Sequence, residues 1–123
     1  MPISLPTAKK KVVVRPRIRA TRGEVILIGP GKADLLAAIN ESGSIRSAAE
    51  RTGMSYMRAW SLVRTMNAAF RAPLVERTRG GSERGGAELT KLGARVLALY
   101  QEMEERAAKA IAPPWRRLES ELK

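Results

Sequence analysis

One glycine constrains this chain more than any other residue. In SIRSAAERTGMSYMRAWSLVRTMNAAF, Ser44 to Phe70, Gly53 interrupts two helical periods. Ser44 stands at a helix N-cap position, with Ile45, Ala48 and Ala49 spaced as one buried face. Ser55 restarts the pattern as a second cap, and Met54 is placed to staple against Ala59. The small Ala49 side chain lets the two helices approach closely. Small residue, glycine turn and fresh cap in this order are the local pattern of a helix-turn-helix.

The second helix divides cleanly when its residues advance by about 100° each. Ala59, Leu62, Val63, Met66 and Phe70 share an apolar arc, which predicts the buried stripe. Met57, Arg58, Ser61, Arg64 and Thr65 share the opposite arc, with Tyr56, Trp60 and Asn67 on the flank. No acidic residue occurs from Ser55 to Val75. An ordinary solvated face also carries arginine and serine, but the glycine turn and the missing acids point to a surface that faces an anion.

Two predicted hairpins bracket this unit. RPRIRATRGEVILIG turns at Arg22–Gly23–Glu24 and returns through the β-branched Val25 to Ile28. After Phe70, APLVERT and AELT predict two strands around RGGSERGG, a glycine-rich tip with Arg77, Arg79 and Arg84 in or beside it. A hairpin directly after the second helix is the wing of a winged helix. A first helix follows GPGK, with Leu35, Leu36 and Ile39 inward and Gly43 as its stop. GPGK reads as a loop turn. The competing reading is an anion cradle at a helix start, but the stretch is too short for the phosphate-loop pattern.

Thr90 caps a last helix, predicted over 90–112 and stopped by Pro113–Pro114. Leu92, Val96, Leu99, Tyr100 and Met103 recur at three- and four-residue steps and predict a dimer seam, with packing on the chain's own core as the alternative. The expected organisation is a basic tail over 1–14, a winged helix-turn-helix domain over 15–112 including the dimer helix, and a C-terminal tail over 113–123. The fold class is mostly α with small β.

Charge says what the exposed arc is aimed at. Lys and Arg number 23 against 12 acids, a net charge of +11. Residues 1–32 hold eight basic side chains and one acid, residues 44–86 eight and three, and residues 87–123 seven and six. The excess therefore sits in the tail, first hairpin, helix pair and wing, as a polyanion-binding chain requires. Cysteine and histidine are absent, which removes thiolate metal sites and the commonest general base. Glu102, Glu104 and Glu105 crowd a charged helix and read as solvating residues, so an enzyme is not expected. No apolar run approaches the roughly 20 residues of a membrane span, and the N-terminus lacks a signal-peptide pattern. A soluble, intracellular chain is expected.

SGSIRSAAERTGMSYMRAW, MN, LVERTRGG and LTKLGARVLALY, in this order and spacing, resemble the N-terminal DNA-binding domain of the molybdate-responsive ModE regulators, and more distantly the LysR-type regulators. The resemblance covers roughly residues 15–105. It implies a cytoplasmic bacterial transcription regulator that binds double-stranded DNA as a homodimer at a near-palindromic operator. Carried onto this chain, the DNA-contacting parts are Ser55–Thr65 and Arg77–Gly86. Ser44, Arg46 and Ser55 at helix starts suit phosphates, as does the wing. Arg58 and Arg64 match guanine edges. Met57 departs from the basic or polar residue expected on a reading face. No residues match the C-terminal molybdate-binding modules of such regulators, so the expectation is a regulator without them and without a cofactor in this chain. An RNA-binding basic protein and a molybdate or tungstate sensor acting through Lys32 are the alternative readings.

Overall fold

Gly23 makes the first turn, at φ 60°, a left-handed conformation that glycine adopts without steric cost. It joins β1 (Ala20–Arg22) to antiparallel β2 (Val25–Ile28). In this computed structural model, residues 3–7, 10–78 and 86–123 are described. The two predicted hairpins are present, with strands of three or four residues.

Three helices follow, each ended or begun where the turn chemistry requires. α1 (Pro30–Ser42) has proline in its first turn and closes at Gly43, whose φ of 74° lets its N–H reach the Ile39 carbonyl. α2 (Ile45–Thr52) is capped by Ser44 Oγ, which accepts from the Ser47 N–H at 2.9 Å, and it ends at left-handed Gly53. α3 (Tyr56–Ala69) is capped by Ser55 Oγ, which accepts from the Arg58 N–H at 3.1 Å. The core is where these helices meet: Leu35, Leu36 and Ile39 of α1, Ile45, Ala48 and Ala49 of α2, and Ala59, Val63 and Met66 of α3 are all buried. Leu62 and Phe70, predicted on the same stripe, are half-buried at its margins.

The wing strands β3 (Val75–Arg77) and β4 (Ala87–Leu89) pair antiparallel, Val75 opposite Leu89. They are stitched into the helical unit. Ala87 N–H donates to the Gly43 carbonyl at 2.9 Å, and Ser44 bridges Gly86. A Cβ at Gly86 would overlap Thr78 Oγ1, so a larger residue there requires the Thr78 hydroxyl to turn away. The predicted wing tip, with Arg79 and Arg84, lies outside the described residues.

α4 (Lys91–Glu119) begins under a Thr90 cap, which accepts from the Gly93 N–H at 2.9 Å. Gly93 presses on the chain entering β3, and a Cβ there would overlap the Leu74 carbonyl oxygen. The predicted stop at Pro113–Pro114, and with it the separate tail over 113–123, is corrected: α4 continues through both prolines for 29 residues in all. Proline's fixed φ is itself helical. The carbonyls it deprives of partners, those of Lys109 and Ala110, belong to exposed residues that water can reach.

Candidate nucleic-acid interface

The exposed side of α3 follows from its buried side. Ala59, Val63 and Met66 are fixed in the core, so helical geometry turns Met57, Arg58, Ser61, Arg64 and Thr65 to solvent. Met57 is the most open of the large apolar residues of α3, 76% exposed. Met57, Ser61, Arg64 and Thr65, with Trp60 and Ala68, line one open groove of about 680 Å³. Arg58 departs from that group. It turns toward the first hairpin and lines a separate cleft with Arg17, Arg19 and Lys32.

The flanking aromatics perform a task that helical periodicity did not reveal. Trp60 Nε1 donates to Tyr56 Oη at 2.5 Å, and the two rings meet edge to face with centroids 6.4 Å apart. The Arg46 guanidinium lies 4.6 Å from the Tyr56 ring centre, and the Arg77 guanidinium lies 4.8 Å from that of Trp60. Arginine–aromatic pairs of this kind contribute about 0.5–1 kcal/mol at exposed sites. A continuous row thus runs from the start of α2, across α3, to the wing strand β3. It holds two cations, one at each side of the exposed helix face. The available signal was the four-residue spacing of Tyr56 and Trp60, but the arginines come from distant positions in the chain.

The two caps keep chemistry in reserve. Ser44 and Ser55 each accept a backbone N–H. Each hydroxyl retains its own proton, which it can donate to an anionic oxygen at the helix start. Asn67 secures the wing relative to α3. Its Oδ1 accepts from the Leu74 and Val75 N–H groups at 2.8 and 3.2 Å, and its Nδ2 donates to the Val75 carbonyl at 3.1 Å.

The predicted dimer residues divide. Leu99 and Met103 are 47% and 45% exposed on α4, whereas Leu92 and Val96 are half-buried against the chain's own core. Tyr100 turns inward, 2% exposed, and its hydroxyl donates to the Ile18 carbonyl at 2.6 Å. It belongs to the core, as does its neighbour Leu97, because this helix turn packs on α1 and meets the chain entering β1 at Ile18. The exposed apolar line instead passes through Leu99, Met103 and Leu118.

Comparison with known proteins places this geometry. The family model described as "Bacterial regulatory helix-turn-helix protein, lysR family" matches residues 32–94. The molybdenum-pterin-binding protein MopB of Rhodobacter capsulatus is 39% identical over 99 residues, covering 76% of this chain and 37% of its own length. The molybdenum transport protein ModE of Azotobacter vinelandii is 44% identical over 70 residues, covering 57% of this chain and 26% of its own length. The chain therefore spans about a third or less of these two relatives. In a solved CbnR_DBD–DNA complex, the matching chain is 22% identical with a TM-score of 0.57, and the match covers 71% of this chain and 94% of that one. The latter likeness shows the fold. No helix among the described residues is long and apolar enough to cross a membrane.

Proposed function

Because this chain belongs to the lysR family of bacterial regulatory helix-turn-helix proteins, we propose that it is a sequence-specific, DNA-binding transcriptional regulator of the ModE type, acting as a homodimer on a two-fold symmetric operator. The observation that carries this reading is the exposed row Met57, Ser61, Arg64 and Thr65, backed by a fully packed helix face and free of acidic residues.

α3 of each protomer enters a major groove, with half-sites about 34 Å apart or a multiple of it. Arg64 is the candidate for a guanine edge, where its planar fork matches O6 and N7. Ser61, Thr65 and Met57 take the neighbouring base edges, methionine offering an apolar contact to a thymine methyl. Ser44, Ser55, Arg46, Tyr56 and Arg77 take backbone phosphates at the helix starts and the wing. Arg79 and Arg84, in the sequence between β3 and β4, add positive charge that suits the same backbone. Leu99 and Met103 pair with their counterparts in a second protomer. The reading assigns no catalysis and no cofactor to the chain.

Selection of bound fragments from random duplex DNA defines the operator. On that operator, Arg64→Ala is expected to lose about 1–3 kcal/mol of discrimination against random duplex. Lys10→Ala, in the basic tail, is expected to weaken both duplexes equally and to flatten the salt dependence. Equal losses on both duplexes for Arg64→Ala would refute its base-reading role. Displacement by folded RNA more readily than by duplex would refute DNA as the target.

A further inference from the structure

The cleft that captures Arg58 is built differently from the groove beside it. Its floor is the start of α1: Gly29, Pro30, Gly31 and Lys32. Its walls are Arg17 and Arg19 from the chain entering β1, Ile26 from β2, and Arg58 and Leu62 from α3. The Arg19 stem runs close over Gly29, where an added Cβ would lie 3.2 Å from Arg19 Cγ. Four cationic side chains from three parts of the chain therefore line a space of about 220 Å³.

Among the described residues, none of the four cations forms an ion pair with a carboxylate. The ion pairs formed among the described residues are Arg51–Glu41, Arg106–Glu102 and Lys109–Glu105, all elsewhere. Lys32 is only 9% exposed, and its ammonium donates to the Ile26 carbonyl, one acceptor for three donors. Burying a cation without a counter-charge is costly, and burial lowers the Lys32 pKa from its ordinary value. No side chain caps α1, so its first-turn N–H groups add positive potential at the same place.

We propose that this cleft binds one tetrahedral oxyanion, presented either by a nucleic-acid phosphodiester or as a free inorganic anion. An oxyanion supplies the missing counter-charge to Lys32 and accepts from the Arg17, Arg19 and Arg58 guanidiniums together. Arg58 lies one turn before Ser61 on α3, so an occupied cleft fixes the beginning of the exposed helix face. The phosphodiester source rests on the reading of the chain as DNA-binding; the free-anion source does not.

The test has two arms on the full chain, with folding of every variant checked by circular dichroism. In the first, inorganic phosphate is titrated into labelled protein while the Gly31 and Lys32 amides are followed by NMR. Saturable shifts at those amides are expected, about tenfold weaker in Arg19→Gln and Lys32→Met. Arg116→Gln, an equal charge loss on distant α4, is expected to change nothing. In the second arm, the salt dependence of duplex binding is measured. Arg19→Gln is expected to reduce the log–log slope by about one and to weaken all sequences equally.

Localised phosphate binding with an unchanged slope assigns a free anion. A reduced slope without saturable phosphate binding assigns the phosphodiester, and both effects together assign both sources. Arg19 is exposed, so its variant decides the matter even if Lys32→Met unfolds. If phosphate moves no amide at the start of α1 and the slope is unaltered, the proposal is overturned. If the unsubstituted chain binds no duplex at all, the DNA reading fails, and the phosphate titration alone decides the cleft.

Discussion

Tyr100 shows how much one polar atom settles in so small a core. Its hydroxyl reaches from α4 to the Ile18 carbonyl, joining residues 82 positions apart. Burial raises the phenol's pKa above its ordinary 10.0; the negative Glu104 and Asp34 add to the rise, and Arg17 and Arg19 oppose it. The folded state therefore prefers the neutral phenol. Its contribution is complete below about pH 10 and is lost as pH climbs through the raised value. Lys32 acts in the opposite sense: its lowered pKa means the cost of burying its charge disappears as pH rises toward 10.5. Tyr100→Phe isolates the phenol. It is expected to cost about 1 kcal/mol at neutral pH and to fall less steeply than the unsubstituted chain in urea-unfolding midpoints above pH 10. Trp60 is the second residue of this kind. Trp60→Leu removes both the donor to Tyr56 and the ring beneath Arg77. A stability loss of about 1–2 kcal/mol is expected from the lost aromatic and cation contacts. Weaker duplex binding, uniform across sequences, is expected alongside it. Unchanged binding in a destabilised variant would show that the row serves packing alone.

Elements in this chain are held by their ends. Asn67 satisfies three backbone groups at the entry to β3, and Thr90 accepts from Gly93 while donating to the Pro73 carbonyl at 2.7 Å. The wing is thereby clamped between α3 and α4. Asn67→Ala leaves buried or half-buried backbone groups without partners and is expected to cost about 2–4 kcal/mol. Hydrogen exchange reads this directly: the Leu74 and Val75 amides should lose protection before those of α1. Uniform loss across the chain would mean that the wing has no separate hold. α4 teaches a different lesson. Two adjacent prolines are a sound stop signal when the helix must bury its backbone. This stretch is exposed, so water can replace the missing donors and the helix continues to Glu119.

At the scale of the whole molecule, a 29-residue helix is longer than one small core can cover. Its first turns pack inward through Leu97 and Tyr100, while Leu99, Met103 and Leu118 remain open. The dimer proposed above uses that line. Leu99→Glu combined with Met103→Glu is expected to yield a folded monomer by sedimentation. Affinity for a two-half-site operator should fall about 100-fold or more as the avidity of paired half-sites is lost, while affinity for a single half-site persists. A dimer that survives the double substitution would place the contact elsewhere.

Local chemistry was legible in the order of residues: the caps at Ser44, Ser55 and Thr90, the turns at Gly23, Gly43 and Gly53, and the division of α3 into a packed and an open face. Each depends on groups a few positions apart, where backbone geometry leaves few alternatives. Tertiary structure decided what depends on residues far apart in the chain. It drew Tyr100 from the predicted seam into the core, paired Arg46 and Arg77 with the aromatics of α3, and diverted Arg58 from the groove to the start of α1. Periodicity assigns a side chain to a face, but only packing brings the facing element, and the partner that a guanidinium or phenol meets there determines its role.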